Sequence, residues 1–161
     1  MLPRLLKYLF ITAGAVVGLI LTLAAVSYFF PPTYEATAQL PGSTSHIIVQ
    51  LEPMHPYLAE YRRALVLRKA GAPDQRIEMF PDTGGYARTQ LYRLPDGRFL
   101  VRGFFDAVRI DPNKHSLIAE PETAPVLGTY LGAFDDKGDR QWRFIDAAQS
   151  PEQPLVAGVA N

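Results

Sequence analysis

Residues 8–34 read YLFITAGAVVGLILTLAAVSYFFPPTY, a run free of Asp, Glu, Lys and Arg whose 22 central positions, Leu9 to Phe30, are almost wholly apolar. At about 1.5 Å of rise per residue, a helix over those positions reaches about 33 Å, close to the roughly 30 Å hydrocarbon thickness of a bilayer. Secretory signal peptides carry a shorter apolar region, about 7–15 residues. The run therefore reads as a signal anchor retained on the chain, with Ala36-Thr37-Ala38 as the alternative of a late cleavage site.

Charge placement gives the anchor a direction. Arg4 and Lys7 precede the run, whereas Tyr28, Phe29, Phe30 and Tyr34 crowd its far end before the first charge, Glu35. Positive residues stay on the cytoplasmic side and aromatics settle at the interface. The expected topology is an N-terminus in the cytoplasm, one span of a bacterial-type inner membrane, and a periplasmic or otherwise extracytoplasmic remainder. Pro31 and Pro32 end the helix, because each lacks an N–H and the second disfavours helical geometry at the first. Within the span, Gly14 and Gly18 form a GxxxG face that would let a second backbone approach closely. A homodimer or a partner's helix would use it. The expected divisions are 1–8 cytoplasmic, 9–30 membrane-spanning, 31–33 a proline-rich exit, 34–148 a β domain and 149–161 a flexible tail.

The chain has 161 residues, enough for one globular unit beside the anchor. Its 16 basic and 16 acidic residues cancel, which argues against a nucleic-acid partner. The balance hides a split: Glu60 to Arg109 holds 10 basic and 6 acidic residues, whereas Ile110 to Asn161 holds 4 and 8. Neutralisation across strand faces is the plain reading of the split, and a docking surface the sharper one. Cysteine is absent, so disulfides, thiolate chemistry and Cys-ligated zinc are excluded, and a domain of about 125 residues must be held by its own core.

Strand signals dominate beyond the anchor. Tyr34 to Leu40 and Ser45 to Leu51 are short runs separated by the turn composition Pro41-Gly42-Ser43. Tyr57 to Lys69 fits either period and reads as a strand ending near Lys69, followed by Gly71-Ala72-Pro73-Asp74 and the run Arg76 to Phe80. Tyr86 to Leu94 and Arg98 to Ile110 form a hairpin about Pro95-Asp96-Gly97, with Phe104, Val108 and Ile110 on one face of the second arm. Thr129 to Phe134 and Arg140 to Ile145 form another about Asp135 to Asp139. Seven to nine strands predict a mainly β domain, an antiparallel sandwich or partly open barrel.

Chemical motifs are sparse. His46, His55 and His115 lack metal-ligand spacing, and the turn Asp135 to Asp139 lacks calcium-loop order, so no metal or cofactor is expected. Trp142 and Phe104-Phe105 read as core or sheet-face residues. Asp82-Thr83-Gly84-Gly85 resembles the Asp-Thr-Gly of retropepsin-like aspartic proteases, with Val126-Leu127-Gly128 echoing a later apolar-apolar-Gly. The resemblance implies a β domain in which two copies pair their Asp82 carboxylates around a water. Pro81 before the Asp and Gly-Tyr-Ala-Arg after the Gly depart from that pattern, and the same tetrapeptide is ordinary turn composition.

The function expected first is that of a non-enzymatic, membrane-anchored protein that binds another protein as an accessory or assembly factor. A membrane-tethered aspartic protease using Asp82 and a small-ligand-binding β domain are the alternatives.

Overall fold

The computed structural model describes residues 2–30, 32–55, 58–85, 87–123, 125–136, 138 and 141–155. They fall into two units, residues 1–32 and 33–161.

The first unit is one helix, α1 (Leu2–Phe29), whose stretch Phe10–Phe29 is long and apolar enough to cross a membrane. The helix thus begins ahead of the apolar run, taking in most of the segment before it. The side chains of Arg4 and Lys7 lie outside those described. Thr12 and Thr22 donate their hydroxyls to the carbonyls of Tyr8 and Gly18, each at 2.9 Å, which satisfies their polar groups within the helix as an apolar solvent requires. A Cβ added at Gly14 or Gly18 would meet nothing within 4 Å. No contact within the helix therefore demands glycine at either position.

The second unit is all antiparallel β structure. A four-stranded meander runs β1 (Tyr34–Gln39), β2 (His46–Pro53), β3 (Tyr61–Arg68) and β4 (Gln75–Asp82). The other sheet holds β5 (Thr89–Arg93), β6 (Phe99–Arg102), β7 (Ala107–Asp111), β8 (Ser116–Glu120), β9 (Thr129–Asp135) and β10 (Arg143–Asp146), ordered β10-β9-β5-β6-β7-β8. Residues 121–128 thus carry the chain from one edge back to the free side of β5. One core joins the sheets: Ile47, Val49, Leu65 and Leu67 from the first meet Leu91, Phe99, Val101, Val108, Ile110 and Phe134 from the second. Each large apolar side chain so buried is worth about 1.5–3 kcal/mol. With β1 close to β10 and β4 close to β8, the sandwich approaches a partly open barrel.

The expected class, an apolar N-terminal helix followed by a mainly β domain, is the one observed. Of the ambiguous stretch Tyr57 to Lys69, Tyr61–Arg68 is a strand because β3 is paired on both sides and buried from Arg63 to Leu67; its β period is imposed by neighbours. Tyr57, Tyr86 and Arg140 lie outside the described residues.

Four expectations need correction. The arm Arg98 to Ile110 is two strands, broken where the Gly103 N–H donates to the Asp106 carbonyl at 2.9 Å. Phe104 sits in that turn and shares no strand face with Val108 and Ile110. Strand β8 raises the number of strands to ten among the described residues; its sequence Ser-Leu-Ile-Ala-Glu is too short to declare itself without β7 beside it. Finally, residues 150–153, in the stretch expected to be flexible, are tied by hydrogen bonds to β5, to Arg88 just ahead of it and to Tyr130 of β9, with Ser150 only 2% exposed. Small and polar residues there are anchored by side chains elsewhere, which composition does not reveal.

Ala36 and Ala38 are both core residues of β1. A cut after Ala38 would remove most of a core strand, so the late cleavage site is a poor fit to this domain.

Candidate functional site

Antiparallel register brings alternate strand ends together. Tyr34 opposes Leu51, Pro53 opposes Tyr61, and Tyr61 opposes Asp82. The start of β1, the end of β2, the start of β3 and the end of β4 therefore share one end of the sandwich. Thr89 opposing Phe134 puts the start of β5 beside the end of β9. Between these ends opens a cleft of about 520 Å³, with Tyr34, Tyr61 and Trp142 as its aromatic lining and Asp82, Asp135, Asp136 and Arg88 as its charged lining. That size lies within the usual range of ligand pockets.

Each lining side chain is held. Tyr34 and Tyr61 meet edge-on, ring centroids 6.1 Å apart. Trp142 packs against the core and donates its indole N–H to the Val49 carbonyl at 3.2 Å. Asp136 donates its backbone N–H to the Asp135 carboxylate at 2.8 Å and accepts from the Gly138 N–H at 2.9 Å, so the β9–β10 turn is shaped by its own acids. Arg88, 9% exposed, pairs with Asp135. Among the described residues, three carboxylates and one guanidinium line the cleft, which favours cationic groups.

Asp82 ends β4 and is 2% exposed, rather than standing in a solvent-facing loop. It accepts the Gly84 N–H at 2.9 Å, the local turn bond that the Asp-Thr-Gly composition permits by itself.

Burial pushes the Tyr61 phenol above its ordinary value, helped by Tyr34, Asp82 and Asp136. Burial likewise raises Tyr92, aided by its bond to Glu152, and Tyr130. The folded state therefore holds these protons longer than the unfolded chain, and stability falls as pH rises through and above the ordinary tyrosine value, about 10. An alkaline absorbance titration is expected to show a tyrosine subset ionising late, and merging of all tyrosines near the ordinary value would contradict these burials.

A second charged group is buried outside the cleft lining. Arg63 is 1% exposed on the core side of β3, donates to the Phe80 carbonyl at 3.2 Å and to the Thr89 hydroxyl, and lies 3.7 Å from Asp106. Asp106 in turn accepts the Phe80 N–H at 2.6 Å. One guanidinium thus ties β3, β4, β5 and the β6–β7 turn. Burial lowers the Arg63 pKa and raises that of Asp106, while each partner's charge pulls the other back.

Of the residues singled out in the sequence, the structure brings Asp82 and Trp142 to the cleft. Phe105 packs instead on Phe80, with centroids 4.9 Å apart. His55 lies 3.3 Å from Glu60, and His115 contacts the Pro73 carbonyl at 2.8 Å. Among the described residues, no three His, Asp or Glu side chains are placed to hold a metal. Tyr61 and Arg88 escaped sequence reading as site residues, and Asp135 and Asp136 were read only as part of a hairpin turn without calcium-loop order. The usable signal was that Tyr34, Tyr61 and Asp82 all stand at strand ends of one meander. No protein-family model, curated protein or solved structure matches this chain.

Proposed function

We propose that this chain is a single-pass protein of a bacterial-type inner membrane, N-terminus in the cytoplasm, whose extracytoplasmic β domain binds a partner protein as an accessory or assembly factor. The cleft carries this reading. Its aromatic walls and acidic excess suit a basic side chain presented by the partner, since a cation gains from both carboxylate and ring face. The Gly14 and Gly18 face offers a second point of contact within the bilayer.

The test is purification of the full-length protein from membranes in mild detergent, with identification of what accompanies it. Asp136→Lys is expected to abolish recovery of the partner at unchanged circular dichroism. Equal recovery with this variant would remove the cleft from the interaction.

A second reading draws on a specific observation: Asp82 and Asp136, from one copy, line the same cleft. Two carboxylates around one space could serve as acid and base in hydrolysis. Asp82→Asn separates the readings. Under partner binding it folds and retains the partner, whereas loss of a peptide-cleaving activity at unchanged stability would favour the hydrolase.

A further inference from the structure

The outer face of the second sheet at β5 carries a row of polar side chains that grip an extended piece of chain. Gln90 and Tyr92 alternate along β5, Arg88 stands just ahead of it, and Tyr130 stands opposite Tyr92 on β9. Across them lie Ser150-Pro151-Glu152-Gln153-Pro154. Arg88 donates to the Ser150 hydroxyl and the Pro151 carbonyl, each at 3.0 Å. The Gln90 amide donates to the Gln153 carbonyl at 2.8 Å and accepts the Gln153 N–H at 2.9 Å. The Tyr130 hydroxyl donates to the Ser150 carbonyl at 2.9 Å, and the Tyr92 hydroxyl to the Glu152 carboxylate at 3.0 Å. The two rings are 5.5 Å apart.

Most of these bonds end on backbone atoms, so the grip reads the course of a chain more than its side chains. The prolines hold φ near −65° and keep that course extended at low entropic cost. Residues 151–154 are all exposed: the segment is laid on the surface and builds little of the core. Proline-flanked segments on tyrosine-bearing surfaces are a recurring recognition mode.

We propose that this face is a docking groove for an extended Pro-x-x-Pro segment with an acidic residue after the first proline, and that residues 150–154 occupy it in cis until a partner's segment of the same chemistry displaces them. The acidic residue meets the Tyr92 hydroxyl, and the carbonyl of the first proline meets Arg88. Arg88 also pairs with Asp135 in the cleft wall. Arg88 thus belongs to both surfaces, while the contacts of Gln90, Tyr92 and Tyr130 are the groove's own, so its use does not rest on what the cleft binds.

The test uses the full-length chain in detergent. Because it holds no cysteine, Leu155→Cys gives one attachment point for a spin label that reports docking of the tail. The peptide Ser-Pro-Glu-Gln-Pro-Leu is titrated in. Saturable mobilisation of the label is expected, with the Ala-for-Pro peptide at least tenfold weaker. Gln90→Ala removes two hydrogen bonds to Gln153 and is expected to speed exchange of the Gln153 amide by about tenfold or more. A label that stays immobile at millimolar peptide, or a Gln153 amide that exchanges only with global unfolding, would show the segment to be a fixed part of the fold and overturn the proposal.

Discussion

Asp106→Ala is expected to cost the β domain about 3–5 kcal/mol, because it leaves the Arg63 charge almost wholly buried without its counter-ion. Denaturant unfolding of the full chain, followed by circular dichroism of the β signal, would read this as a lower midpoint at unchanged slope. The double variant Arg63→Met with Asp106→Leu is expected to recover most of the loss. Burial moves both groups toward their neutral forms despite their mutual attraction, so removing both charges leaves no uncompensated ion. A double variant that is worse than either single one would mean that the bonds from Arg63 to Phe80 and Thr89 outweigh the ion pair. Gly103 belongs to the same arrangement. A Cβ there would lie 2.9 Å from one Arg63 nitrogen and 3.2 Å from the other.

Gly132→Ala is expected to be nearly as damaging, for a backbone reason. Gly132 holds φ +145° in β9, beside the register shift that sets Leu91 against Gly132 and Tyr92 against Tyr130. Leu131 is therefore the extra residue of a bulge. An L side chain in that conformation costs about 1–3 kcal/mol. A Cβ would also run into the Ile145 carbonyl, with Phe144 Cζ at 2.8 Å and Asp146 Cα at 3.0 Å, adding about 1–3 kcal/mol for overpacking. Fraying is expected to be local to β10, so hydrogen exchange at Phe144 to Asp146 should accelerate more than at β2 or β3. Uniform acceleration across both sheets would contradict that.

The aromatic and acidic cleft residues come from four strand ends and the β9–β10 loop, and no local pattern marks them as neighbours. Asp82 was legible as a candidate because Asp-Thr-Gly stands out in the sequence; its burial was not, since it depends on Tyr61 opposing it across β3 and β4. Trp142 read as a core residue and is also a cleft wall, because its indole is pinned to the Val49 carbonyl of the other sheet. Arg63 gave no signal at all. An arginine beside Arg62 in a run of mixed period looks like surface, and only the formation of β3 as a strand between two facing sheets, which puts Arg63 on the face of Leu65 and Leu67, turns it inward.

The sequence by itself determined the apolar helix, the β character of the rest and most turn positions. Those follow from the solvent preference of consecutive side chains and from the φ limits of proline and glycine, which act within a few residues. Tertiary structure alone decided the split of Arg98 to Ile110, the emergence of β8, the docking of residues 150–153 and the burial of Arg63 with Asp106. Each depends on a partner distant in the chain, whose hydrogen bond or charge repays a placement that the local sequence leaves indifferent or opposes.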